Sequence, residues 1–254
     1  MSSFRTNTTL RKKLEPRQKH RVIIGKSASP PSTSLSYVLS KNHILKPVFK
    51  KQFEIIITRF NETLEWTEGI EHLCTVYNKG APLEFAGTVV NVPNYGLDLE
   101  TTLRHIISNY DNLSDVTMIA QGRLVDRSDQ PMYPLAEYYT QCSANSVFGN
   151  AITAYDAPSW RQHSPTYGEE FKSVNNRTLS AFRSDVVKIP YRNRYEKWVP
   201  GVWISVGRNC ILNKGLDYYK GLYDKCMFHR ALRTEEIWFL ERSMYTIFTN
   251  GLGT

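Results

Sequence analysis

The sequence predicts an α/β domain with a mostly parallel sheet flanked by helices, preceded by an extended basic arm. Three observations carry this expectation. Residues 53–58, 73–77 and 116–120 are strand-length and nearly all apolar, as strands buried on both faces are. Each run enters a polar cluster: Arg59-Phe60-Asn61-Glu62, Asn78-Lys79-Gly80 and Gln121-Gly122-Arg123. Helical patterns lie between the runs, so the unit reads β-α-β-α-β. In open parallel sheets ligands bind beyond the carboxyl ends of the strands, which places the chemistry at these clusters.

After the first strand, Leu64, Trp66 and Ile70 predict a short helix. Asn78-Lys79-Gly80 has the composition of a tight turn. Asn94-Tyr95-Gly96-Leu97-Asp98 then leads into a helix whose Leu99, Leu103, Ile106, Ile107 and Tyr110 recur at helical spacing. Asp98 is placed to cap that helix or to sit in its first turn, where the positive helix end favours an acid. Asp98 and Glu100, two apart on a helix, point to different sides and would not share an ion. After the third strand, Gly122 allows close backbone approach, while Arg123 and Arg127 flank Asp126 with positive charge suited to a phosphate.

Residues 128–200 hold prolines at 131, 134, 158, 165, 190 and 200 with tyrosine and tryptophan throughout. They read as an irregular aromatic-rich insertion, a candidate lid, acceptor surface or protein interface. Residues 202–206 predict another strand, and a last helix starts at Thr234 as N-cap, followed by Glu235 and Glu236. Its core stripe is Ile237, Leu240, Met244, Ile247 and Phe248, with Asn250-Gly251 as the stop. Glu241 falls near the buried side, where a carboxylate is either paired or functional.

The domain so outlined spans residues 53–254, long enough to bury a core of its own, and residues 1–52 form the arm with its Ser/Pro linker. Twelve Lys and Arg within residues 1–53 against the single Glu15 give the arm +11 of a total charge of +8, leaving the body at −3. Arg11, Lys12, Lys13, Arg17, Lys19 and Arg21 form its densest stretch. Such an arm meets acidic protein, nucleic acid or an anionic membrane surface, and composition does not choose among them. No run approaches the roughly 20 apolar residues of a membrane-spanning helix, and the first thirty residues lack a signal-peptide core. An intracellular or virion setting with no transmembrane segment is expected. Cys74, Cys142, Cys210 and Cys226 show no paired spacing, which predicts reduced thiols and no metal site.

Five motifs together resemble an uncharacterised domain family found in fungi, plants, bacteria and large DNA viruses and related to the nucleotide-sugar glycosyltransferases of GT-A type. They are Arg59-Phe60-Asn61-Glu62 with Trp66, Tyr77-Asn78-Lys79-Gly80, Asn94-x-Gly96 with the helix through Asn109-Tyr110-Asp111-x-Leu113, Gln121-Gly122, and Glu241-Arg242 with Ile247-Phe248. The resemblance covers roughly residues 53–127 and 200–250 and implies a GT-A/Rossmann-like fold. It implies a nucleotide-sugar site formed by Arg59, Asn61, Glu62, Asn78, Lys79, Gln121, Gly122, Arg123, Asp126 and Arg127, with Asp98 and Glu241 as catalytic carboxylates. Two departures stand out. Gly96-Leu97-Asp98 replaces the family's usual Gly-Arg-Glu, and Arg123 and Arg127 replace an acid and a histidine.

These departures and the basic arm favour an architectural role, in which a catalytically reduced body is carried in a large assembly such as a virion shell and residues 1–52 bind neighbouring subunits. The alternative is an active nucleotide-sugar-dependent transferase with Glu241 as base, either metal-independent through the arginines or assisted by manganese or magnesium. A second alternative is nucleic-acid or anionic-membrane binding through the arm. The architectural reading requires no cofactor.

Overall fold

The computed structural model describes residues 41–123, 133–149, 151–155, 162–163, 170–171, 179–189, 195–228, 230 and 234–250. The arm cluster from Arg11 to Arg21, and Asp126 and Arg127 of the expected site, lie outside the described residues.

The three predicted strands form as β1 (Phe53–Arg59), β2 (Cys74–Asn78) and β4 (Val116–Gln121), each buried almost throughout. β3 (Thr88–Asn91), too short and too exposed to show an apolar run, pairs parallel to β2 at the sheet edge. Helix α1 (Leu97–Ser108) returns the chain across the sheet, so that β4 pairs parallel to β1 on the side away from β2. Two further strands complete a six-stranded mixed sheet of order β3-β2-β1-β4-β10-β5: β5 (Val147–Gly149) and β10 (Ile204–Gly207). β10 runs antiparallel to both of its neighbours and is the one reversed strand of the sheet. The arrangement is α/β and consistent with a Rossmann-like fold.

Side-chain alternation divides the core. Phe53, Ile55 and Ile57 of β1 with Val116, Met118 and Ala120 of β4 face a cluster containing Leu45, Trp66, Ile70 and helix α2 (Leu135–Thr140). Ile56 and Ile119 face the opposite cluster, formed with α1, α4 (Arg208–Leu212), α5 (Leu216–Cys226) and α6 (Glu235–Thr249). The period of two therefore sends Thr58 and Gln121, paired in register, toward the α1 and α6 face at its carboxyl edge.

Several elements differ from expectation. The short helix after β1 is instead two 3₁₀ turns, Glu65–Thr67 and Glu71–Leu73, separated by Gly69 at φ 77°. The Asn42 side chain donates to the carbonyls of Trp66 and Glu68, which fixes this tighter path. The predicted last strand begins two residues late, because Pro200–Val202 forms a turn before it. The described residues within 128–200 are less irregular than the prolines of this range suggest. They supply α2 and β5, the antiparallel pair β6 (Ile152–Tyr155) with β9 (Tyr195–Trp198), the short pair β7 (Gln162–His163) with β8 (Glu170–Phe171), and α3 (Leu179–Phe182), which continues into a π-helical turn Arg183–Val187.

The closing helix follows its sequence signals. Thr234 Oγ1 accepts from the Ile237 amide, and all five residues of the predicted stripe are buried. The four cysteines are buried and form no disulfide among the described residues. Among the described residues no helix is long and apolar enough to cross a membrane.

Two substitutions test these local readings. Thr234→Ala, which removes the cap, is expected to lower the unfolding free energy in urea by about 1 kcal/mol. Gly221→Ala, inside α5 where an added Cβ meets open space, is expected to raise it by roughly 0.5–1 kcal/mol.

Candidate functional site

The chain runs from β1 outward to β2 and β3, then returns to β4 on the other side of β1, so the strand order reverses between β1 and β4. Ligands of open α/β sheets bind at such a switch point. The polar side chains here fall into two groups.

The first group fastens the loops. Arg59 is buried; its Nε donates to the Glu62 carbonyl at 2.9 Å and its Nη1 to Asn78 Oδ1 at 2.7 Å and to the Ala81 carbonyl at 3.0 Å. Asn78 Nδ2 donates in turn to the Ala81 carbonyl and to Asn91 Oδ1. Asn61 Oδ1 accepts from the Ala81 amide, and Glu62 Oε2 accepts from the amides of Phe60 and Asn61. Gly80 is demanded by this packing, since a Cβ there would lie 1.4 Å from the Phe60 carbonyl oxygen. Gly122 lies under the Glu62 carboxylate, which would be 2.8 Å from an added Cβ, and its carbonyl accepts from Trp66 Nε1.

Lys79 belongs to this group too. Its ammonium donates to the carbonyls of Tyr95 and Leu97 at 2.7 and 2.8 Å and to Glu100 Oε2 at 2.9 Å. Glu100 has no exposed surface and also accepts from Arg104 Nε at 2.6 Å and the Tyr223 hydroxyl at 3.0 Å. Burial pushes the Lys79 pKa down while Glu100 pulls it up. The sequence reading assigned Arg59, Asn78 and Lys79 to a ligand; in the fold they hydrogen-bond protein groups.

The second group forms the candidate site. Of the two expected placements Asp98 takes the second: Gly96 is the N-cap and Asp98 sits in the first turn of α1, its carboxylate accepting from Gln121 Nε2 at 2.6 Å across to β4. Thr58 brings its buried hydroxyl to the same corner, where its hydrogen bond to Asp98 opposes the upward shift of that carboxyl. From α6, Glu241 Oε1 accepts from the Gly201 amide at 3.1 Å and raises the pKa of Asp98 by its charge. Burial first, and then Glu241, lift the Asp98 carboxyl from 3.8 to about 7, against the Gln121 hydrogen bond and the Lys79 charge. Arg123 is exposed one residue beyond Gly122.

Two left-handed turns bracket these carboxylates. Gly96 and Leu97, at φ 66° and 50°, precede Asp98 and aim the Tyr95 and Leu97 carbonyls at Lys79. Gly201 and Val202, at φ 66° and 58°, present the amide that Glu241 accepts from. A β-branched residue at positive φ is an outlier held by its surroundings, and Val202 is held in the core beneath the site. The sequence reading missed Thr58, Gly201, Glu100 and Arg104. The Pro200-Gly201 pair was a turn signal, whereas Thr58 was marked only by being polar inside an apolar run.

Among the described residues no three His, Cys, Asp or Glu side chains gather as metal ligands. No family model, curated protein or solved structure matches the chain. The chemistry of the site is therefore argued from its geometry.

Two measurements separate fastener from site. Lys79→Met leaves the buried Glu100 short of a charge partner and is expected to lower the unfolding free energy by about 3 kcal/mol. For Asp98 the folded pKa lies above the unfolded one, so the folded chain keeps a proton that the unfolded chain has released between about pH 4 and pH 7. The contribution of this group to stability is full below that window and lost as the pH rises through it. The stability of Asp98→Asn relative to the parent should accordingly grow from pH 4 to pH 7 and level off above, as read by denaturation at each pH.

Proposed function

We propose that the chain carries a group-transfer site of the GT-A glycosyltransferase type, with a nucleotide-diphosphate sugar bound at the switch point between β1 and β4. The convergence of Asp98, Gln121, Thr58 and Glu241 at that edge is the observation that carries this reading. Asp98 and Glu241 lie 143 positions apart in the chain, yet one shifts the titration of the other. A carboxyl titrating near neutrality beside a second carboxylate is expected of a working site more than of a retired one.

The roles follow from position. Asp98, oriented by Gln121, and the Thr58 hydroxyl bind hydroxyls of the donor sugar. Glu241, steadied by the Gly201 amide, takes the proton of the acceptor hydroxyl as that oxygen bonds to the anomeric carbon. The bond from that carbon to the diphosphate breaks, and the diphosphate leaves with the electron pair. Arg123, at the rim, offers positive charge to it. The side-chain oxygens of Asp98 and Gln121 are hard donors that would hold magnesium or manganese. Such an ion, when bound, would neutralise the leaving diphosphate.

A specific observation favours a second reading. Arg59 and Lys79, cations that the family resemblance places in the nucleotide-sugar site, are both buried in contacts with the protein's own groups. On this reading the body is a reduced transferase serving as a structural component of a large assembly such as a virion, with residues 1–52 engaging its neighbours.

Calorimetric titration of the full chain with uridine and guanosine diphosphate sugars, with and without manganese, discriminates the two. Saturable binding of one donor is expected, weakened by Asp98→Asn. Transfer to acceptor is expected to fall by about 10²–10⁴-fold in Glu241→Gln. Absence of binding by every donor, or binding indifferent to Asp98→Asn, would sink the transferase reading and leave the structural one.

A further inference from the structure

A second polar cavity, of about 330 Å³, opens between α1 and α5 and is lined by Arg104, Ile107, Ser108, Lys220, Tyr223 and Asp224. It lies about two turns along α1 from Asp98, and its argument is independent of the transferase reading. Its volume is within the range of sites for small molecules.

Its charge is the informative property. Glu100 is the acid for two cations, Lys79 and Arg104, so Arg104 has no carboxylate to itself. Arg104 Nε and Nη2 are engaged by Glu100, Tyr95 and Tyr223, while Nη1 has no acceptor among the described residues. The Arg104 side chain keeps 31% of its surface exposed, so this end of the guanidinium meets solvent. Among the described residues Lys220, from the other helix, has only Asp217 at 3.8 Å, a carboxylate 99% exposed and hence a weak, screened partner. Two cations on separate helices suit two oxygens of one phosphate better than a single carboxylate oxygen. Ile107 and the Tyr223 ring add an apolar wall. Asp224 repels a bare anion and accepts from a ligand that carries a hydroxyl beside its phosphate.

We propose that this cavity binds a small phosphorylated hydroxyl compound, its phosphate between Arg104 Nη1 and Lys220 with Ser108 at its edge, and its hydroxyl on Asp224. Titration of the isotope-labelled full chain with glycerol 3-phosphate, inorganic phosphate and glycerol, followed by amide NMR, tests it. Glycerol 3-phosphate is expected to give saturable shifts at Ser108, Lys220 and Asp224, inorganic phosphate weaker ones at the same amides, and glycerol none. Lys220→Ala, at an exposed position outside the core, should weaken glycerol 3-phosphate binding about tenfold. Asp224→Ala should bring the two phosphate compounds toward equal affinity. The proposal is overturned by the absence of saturable shifts with either phosphate compound, by equal shifts with all three, or by Lys220→Ala binding like the parent.

Discussion

Glu100 is sealed from water and accepts from Lys79, Arg104 and Tyr223, which come from the end of β2, from α1 and from α5. An ionised carboxylate in that position is tolerable only with its partners in place, because burying a charge unpaired costs far more than any packing contact returns. The requirement fixes three elements against one another. Lys79 also donates to the carbonyls of Tyr95 and Leu97, so the left-handed turn entering α1 is drawn down onto the strand ends. Asp98 follows directly in the chain and is thereby set over Gln121.

This constraint sorts the polar residues of the carboxyl edge. Arg59, Asn78 and Lys79 are buried and hold the loops to the sheet. Thr58, Asp98, Gln121 and Glu241 are only partly buried and meet at the corner where the strand order reverses. Arg59, Asn78 and Lys79 thus act as scaffold, while the two carboxylates of the corner stand on α1 and α6, which cover one face. Such a division is physically sensible, since a reactive carboxylate needs rigid support from residues that are not themselves required to move or exchange partners.

Much of this was legible beforehand. β1, β2 and β4 are buried on both faces, so their apolar runs are unbroken, and α6 announces itself by the Thr234 cap and the stripe from Ile237 to Phe248. β3 was invisible because an exposed edge strand of four residues needs no apolar pattern. The turns around Trp66 mimicked a helix because 3₁₀ and α spacing cannot be told apart over so few residues. Glu241 was recognised as facing inward from its place beside the stripe. Its approach to Asp98 was not, because α6 can be laid on the sheet in several ways that bury the same stripe equally well.

The sequence by itself determined β1, β2, β4, α1 and α6, which side of α6 is buried and which edge of the sheet collects polar groups. Periodicity and turn chemistry are local and are written in neighbouring residues. Only the tertiary structure decided which polar groups are locked into loop contacts and which meet at the switch point. That choice depends on pairings across the fold: Thr58 with Gln121 in the strand register, Lys79 with Glu100 across the loop, and Gly201 with Glu241 on the last helix. The pKa of Asp98 belongs to the same class, because desolvation and the charge of Glu241 exist only once α1, β4 and α6 are packed together.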